Sequence, residues 1–267
     1  MKDYLPLIEE ALDRYSASFD LPPLFLRSMR YSLLSGGKRI RACLCLACCE
    51  LVGGRAEDAL PFAAALEMIH AYSLIHDDLP AMDDDDMRRG KPSNHKAFGE
   101  GNAILAGDGL LTMAMRLLCD VPGQEEAKKA VFQGALDMAA GQSLDLNVSA
   151  RDLVSLQSIH DLKTGALFRA ACLSGTWRGG CSETEAEKIR TFADKLGLLF
   201  QMTDDLLDVE KDTAEGKLTY VTLLGVDETK RKIDALASYI RELLNGYSGE
   251  AAAYLCDLVN RIAVRTA

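Results

Sequence analysis

The chain has 267 residues, 48% of them apolar and 26% charged, with a formal net charge of −10 at pH 7. These values allow one large globular core and argue against nucleic acid as the main partner. No apolar run reaches the roughly 18 residues of a membrane span, and Met1-Lys2-Asp3 opens a charged amphipathic stretch rather than a secretory leader.

Apolar residues recur at helical spacing along most of the chain. The first helices are expected over 8–15 and 25–34. Gly36-Gly37 then turns into Lys38-Arg39-Ile40-Arg41, which opens a helix over 39–51. Lys38 and Arg41 are three apart and share a face. At a helix start, where backbone amides favour anions, they make either a phosphate site or a solvated basic end. Cys43, Cys45, Cys48 and Cys49 crowd the same helix. With no histidine nearby and no second spaced pair they read as small apolar core residues rather than a thiolate metal site. A reduced, cytoplasmic protein is expected.

The helix over 59–75 delivers the first acidic cluster, Asp77, Asp78 and Asp83, followed by Arg88 and Arg89. Further helices are expected over 103–119, 125–146, 153–174, 183–207 and 230–247. The helix over 183–207 delivers the second cluster, Asp204, Asp205 and Asp208. No convincing period-two strand appears, so the fold class is all-α, a single domain over 1–267 in which roughly ten or more helices surround a central cavity. Like charges this dense repel by roughly 0.2–0.5 kcal/mol per pair on an open helix. A cation relieves that, and all-oxygen ligands suit magnesium shared with substrate phosphates.

Other polar residues share these faces. His70 is seven residues, two turns, before Asp77 and reads either as a phosphate contact or as a satisfied core histidine. His76 reads as structural. Lys163-Thr164-Gly165 interrupts an apolar run, and a buried lysine needs a partner such as a diphosphate. Gln201 lies on the face of Asp204, Asp205 and Asp208.

The segments GGKRIRACL, IHAYSLIHDDLPAMDDDDMRRGKPSNH, FGEGNAILAGDGLL, GQSLDL, KTGALF and GLLFQMTDDLLDV span residues 36–208. In order and approximate spacing they resemble the trans-isoprenyl diphosphate synthases, the polyprenyl synthetase family, and most nearly its bacterial farnesyl diphosphate synthases. The resemblance implies the isoprenoid synthase fold, a homodimer, and several magnesium ions held by Asp77, Asp78, Asp83, Asp204, Asp205 and Asp208. It implies that Lys38, Arg41, His70 and Arg89 bind isopentenyl diphosphate. Arg88, Lys163, Thr164, Gln201 and Lys217 would bind the allylic partner, dimethylallyl or geranyl diphosphate. Thr164 and Gln201 would also stabilise an allylic cation, and Lys163 would assist ionisation.

The same resemblance makes product length depend on the residues before Asp77. With a rise of about 1.5 Å per residue, Tyr72 lies roughly 7–8 Å below Asp77, and the family pairs an aromatic residue there with a fifteen-carbon product. Ser73 is too small to block the pocket. Farnesyl diphosphate is therefore the expected product, with geranyl or geranylgeranyl diphosphate as the alternative. A terpene cyclase would pair one aspartate cluster with an Asn/Ser/Glu-type second site, and a non-catalytic partner subunit would have lost aspartates. This chain keeps all of them. It departs from the family after Asp208, where the loop to Gly216-Lys217-Leu218-Thr219-Tyr220 is short and Val221 stands in place of proline. The segment between Leu146 and Ile159 is short as well.

Overall fold

The computed structural model describes residues 2–147, 152–209 and 218–265. Helices follow one another in the order α1 Leu5–Ala17, α2 Pro23–Leu33, α3 Ile40–Leu51 and α4 Ala56–Asp77. A two-residue hairpin pairs β1 Met87–Arg88 antiparallel with β2 Lys91–Pro92. Then come α5 Asn94–Phe98, α6 Glu100–Cys119, α7 Glu125–Asn147, α8 Leu153–His160, a π-helical turn Asp161–Gly165 and α9 Ala166–Arg178. The chain closes with α10 Glu183–Leu207, α11 Tyr220–Leu224, α12 Val226–Leu243 and α13 Glu250–Ala263. This is the all-α class that the sequence implies.

Helices α3 and α4 form the centre, because they are apolar around nearly their whole circumference. α4 packs on α6, α3 and α9, and α3 packs on α9. The α3–α9 approach is backbone-close because Gly175 lies on the Cys45 carbonyl, where any Cβ would collide. Cys43, Cys45, Cys48 and Cys49 are all buried. Burial pushes the Cys43 thiol up to about 11 and the Cys49 thiol up to about 12, so both stay protonated at neutral pH. They fill the core, as the sequence implies.

Three departures from the expected elements have physical reasons. The run over 153–174 is not one helix, because the π turn divides it into α8 and α9. α13 lies beyond the expected elements, although its buried Ala251, Leu255, Leu258 and Ile262 repeat at helical spacing. α6 is long and apolar enough, by length and composition alone, to cross a membrane, yet 44% of it is buried within the fold. It is a core helix with one apolar face left uncovered.

Candidate active site

Both aspartate clusters lie at the C-terminal ends of long helices. α4 ends at Asp77 with Asp78 as its cap, and α10 ends at Leu207 with Asp208 as its cap. That is the negative end of the backbone dipole, the least favourable place for carboxylates. Burial pushes Asp77 up to about 6, with Asp83 adding repulsion and Lys163 opposing it. Burial likewise pushes Asp204 up to about 6, with Arg265 opposing and Asp208 adding. A dication at each cluster would offset the cost of holding these carboxylates ionised. An all-carboxylate donor set fits a hard dication such as magnesium.

The loop after α4 folds back on the helix end. The Asp83 amide donates to the Asp77 carbonyl at 2.8 Å, and the Asp84 amide donates to the Leu79 carbonyl at 3.1 Å. The Asp77–Asp83 spacing thus closes a turn that brings Asp83 beside Asp77. Asp78 differs from its neighbours: it is 2% exposed and accepts a fork from Arg88, which also reaches Asp85 at 3.3 Å. That hydrogen bond raises Arg88. Asp205 is also committed. At 7% exposed it accepts the Tyr220 amide at 2.6 Å and so anchors the start of α11. Asp204 is held by Arg265 at 2.6 Å, whose guanidinium stacks over Phe200.

The basic residues converge from three elements. Gly36 and Gly37 have φ of 81° and 126°, and Arg89 fits against Gly37 so closely that a Cβ there would touch its guanidinium. Arg89 donates to the Gly36 carbonyl and to Ser35 Oγ. Arg41 stacks over Phe168 at 5.3 Å, its Nε is buried without a hydrogen-bond partner, and it has no ion-pair partner among the described residues. Burial lowers it, while Glu67 and Asp204 oppose that effect. His70 lies beside it, held well below the usual imidazole range by burial and by Arg41, Arg89, Arg39 and Arg88. Lys38 is exposed and near enough to Asp204 to lower it. Arg39, Asp84 and Arg89 all have positive φ, the strain that non-glycine residues keep chiefly at functional sites.

A cavity of about 310 Å³ lies beneath Asp77, lined by Arg41, His70, Tyr72, Ser73, Leu74, His76, Met82, Met138, Ala139, Gln142, Lys163 and Thr164. A smaller cavity of about 30 Å³, lined by Ser35, Arg39, Glu67, Arg88 and Arg89, shares the His70 wall. Lys163 and Thr164 enter through the π turn. Gly141 of α7 abuts the Lys163 backbone with no room for a Cβ, and Gly165 lies 3.1 Å from where a Cβ of Gly197 on α10 would stand. Squeezed between two glycines, the turn widens and presents consecutive side chains to the cavity.

Of the residues expected from sequence, Arg41, His70, Tyr72, Ser73, Asp77, Lys163 and Thr164 line this one cavity. Gln201 does not. It lies on α10 one turn before Asp204, outside the lining. Lys217 lies outside the described residues, as does part of the short segment between Leu146 and Ile159. His76 is structural, as expected. Its Nε2 pairs with the Ile104 carbonyl at 3.0 Å, against Gly107. Several neighbours were not legible in sequence. Asp145 accepts Lys163 at 2.6 Å, Gln142 lines the cavity, and Asp84, Asp86 and His95 offer ligand atoms within 4.8 Å of one another.

A polyprenyl synthetase family model matches residues 22–244. Geranylgeranyl pyrophosphate synthase 7 of Arabidopsis thaliana is 44% identical over 281 aligned positions, covering 97% of this chain and 81% of that one. The chloroplast geranylgeranyl pyrophosphate synthase of Capsicum annuum is 43% identical, covering 91% of this chain and 72% of that one. The first alignment is longer than this chain, so that relative carries residues absent here, in keeping with the short loops. Among solved structures, a geranyltransferase from Legionella pneumophila matches with a TM-score of 0.89 at 36% identity, covering 97% and 94% of the two chains. An FPP/GFPP synthase from Zymomonas mobilis matches at 0.85 and 32% identity, covering 97% of each. Both of these curated relatives carry geranylgeranyl names, so they do not support the farnesyl resemblance expected from the motifs.

Proposed function

The chain belongs to the polyprenyl synthetase family and is a prenyltransferase, and from that premise we propose that it joins isopentenyl diphosphate head-to-tail to an allylic diphosphate. One observation carries the reading. Arg41, without an ion-pair partner among the described residues, and His70, crowded with positive charge, share a cavity with Asp77, Lys163 and Thr164. An anion held directly and an anion held through a cation can therefore meet over an apolar pocket.

Arg41, Lys38 and Arg89 hold the diphosphate of isopentenyl diphosphate, and His70 accepts a proton or donates a hydrogen bond once that anion arrives. The two aspartate clusters, Asp77, Asp78 and Asp83 with Asp204, Asp205 and Asp208, would hold magnesium, which would supply charge neutralisation for a departing allylic diphosphate. Lys163 and Arg88 bind the same leaving group. The allylic C1–O bond breaks, C4 of isopentenyl diphosphate forms the new bond to C1, and a proton leaves C2 for the released diphosphate. Thr164 Oγ lies beside the cation without capturing it. Leu74, Met82, Met138 and Ala139 keep water from that cation.

On product length two supports diverge. The names of the curated relatives favour the twenty-carbon geranylgeranyl diphosphate, and that is the first reading. Tyr72, lining the cavity below Asp77, favours the fifteen-carbon farnesyl diphosphate as the second. A homodimer is part of the proposal. On α6, Leu105 is 56% exposed and Ile104 and Met115 are exposed on the same helix, and on α7 Leu136 is 64% exposed. An uncovered apolar face of this kind fits a second copy.

The test is product chain length with magnesium, labelled isopentenyl diphosphate and either dimethylallyl or geranyl diphosphate. A dominant twenty-carbon alcohol after dephosphorylation supports the first reading, and a fifteen-carbon alcohol supports the second. No elongation from either primer overturns both and points to a cyclase or a partner subunit.

A further inference from the structure

Arg39 stands in the middle of the basic segment and borders the smaller cavity, yet its guanidinium is taken up by carboxylates and a carbonyl. It is 4% exposed and makes four hydrogen bonds: Nε to Glu9 Oε1 at 2.8 Å, two to Glu67 Oε2 and Glu9 Oε2 at 3.3 and 3.4 Å, and one to the Leu33 carbonyl at 2.8 Å. Glu67, 2% exposed on α4, uses its other oxygen to accept the Ala42 amide at 3.3 Å at the start of α3. Two carboxylates thus cancel the charge of Arg39, whereas Lys38, Arg41 and Arg89 have no carboxylate partner among the described residues. The backbone of Arg39 is left-handed, φ 47°. A residue keeps that conformation where its surroundings over-determine it, and here contacts from α1, the end of α2 and α4 do so.

We propose that Arg39 and Glu67 are positioning residues for the isopentenyl diphosphate subsite, fixing the backbone that carries Lys38 and Arg41 without attracting the anion themselves. The inference rests on the elongation reading above. Arg39 is the hub through which α1, α2 and α4 hold one turn of chain. Loosening it moves Lys38 and Arg41, which project from that turn, while Lys163 and Thr164 stand on the π turn and Asp77 lies at the far C-terminal end of α4, away from Glu67.

The deciding variant is Arg39→Lys, which keeps the buried charge but has no fork to reach Glu9, Glu67 and the Leu33 carbonyl together. Steady-state kinetics should show KM for isopentenyl diphosphate raised roughly tenfold, the size of a lost hydrogen bond to a charged group, and KM for the allylic diphosphate within about twofold. Calorimetric Kd for isopentenyl diphosphate alone should rise in step. Unchanged values, or both KM values rising together, overturn the proposal. If Arg39→Lys does not fold, Glu9→Gln removes a half-exposed partner and carries the same one-sided shift at smaller size, and its absence there overturns the proposal equally. A wild-type protein that binds isopentenyl diphosphate without elongating refutes the elongation reading and leaves the Kd comparison to decide this one. A wild-type protein that binds none overturns both.

Discussion

Lys163 Nζ donates to Asp145 Oδ2 at 2.6 Å, so the lysine that faces the first aspartate cluster is held by α7 rather than by Asp77. Both side chains are about a third exposed, and such pairs add only about 0–1 kcal/mol. A diphosphate carrying more charge displaces the bond easily. Lys163→Ala should therefore lower turnover by roughly a hundredfold or more, the scale of a lost charge stabiliser. Thermal melting should shift by no more than about 2 °C. Asp145→Asn should lower turnover less than Lys163→Ala does. Melting curves and steady-state rates check both, and a large loss of stability in Lys163→Ala would make the lysine structural.

The raised carboxyls set a pH dependence with a definite sign. Asp77 and Asp204, each about 6 against an ordinary 3.8, bind protons more tightly folded than unfolded. Their contribution to stability is therefore lost as pH rises from about 4 to about 6 and stays lost above that. Magnesium should reverse the loss. It should raise the melting temperature at pH 7 and do so far less at pH 5, where binding must displace protons. Melting scans with and without magnesium at the two pH values test this, and an equal shift at both would sink it.

Arg41 predicts opposite signs for stability and binding. It shares the surroundings of His70 with Arg39, Arg88 and Arg89, and its Nε is buried without a partner. Arg41→Met keeps the contact with Phe168 and removes uncompensated charge, so the melting temperature should hold or rise. Isopentenyl diphosphate affinity should fall by roughly tenfold or more, as for loss of a hydrogen bond to a charged group. A fall in both would mean that Arg41 serves the fold.

The long helices were legible because burial repeats along them. α10 spans 183–207 as the apolar period implies. Both acidic clusters were legible because six carboxylates this dense have few structural uses. The rest depends on distant contacts. The π turn follows from Gly141 and Gly197, which no window around Lys163 contains. Asp145 belongs to the site only because α7 passes that turn. Arg39 reads as one more cation beside Lys38 and Arg41, and only Glu9 and Glu67 show that it points inward. Gln201 shows the converse. It keeps its spacing to Asp204 on α10 and, like Asp204 itself, stands outside the lining of this cavity.

The exposed apolar residues of α6 make a further prediction. Leu105→Glu places a charge on a surface that is 56% exposed in one chain, so the monomer should fold normally. If this face joins two copies, the variant should sediment as a monomer at concentrations where the unaltered chain is a dimer, since burying an unpaired carboxylate at an interface is strongly unfavourable. Identical sedimentation of the two would remove this face from the interface.

Tyr72 is the most direct handle on product length. Its ring packs edge-to-face on His76 at 5.8 Å, and His76 is itself fixed by the Ile104 carbonyl. The aromatic is therefore a rigid part of the cavity wall rather than a mobile plug. Tyr72→Ala forfeits that ring contact, about 0.5–1.5 kcal/mol, and opens space below Ser73. Whatever length the unaltered chain makes, the variant should extend it by at least one five-carbon unit, at similar affinity for isopentenyl diphosphate. The dephosphorylated alcohols separated by length give the answer. A distribution unchanged by the substitution would move the length limit to another wall, with Met138 and Gln142 of α7 next in line, and would remove the support that Tyr72 gives to the fifteen-carbon reading.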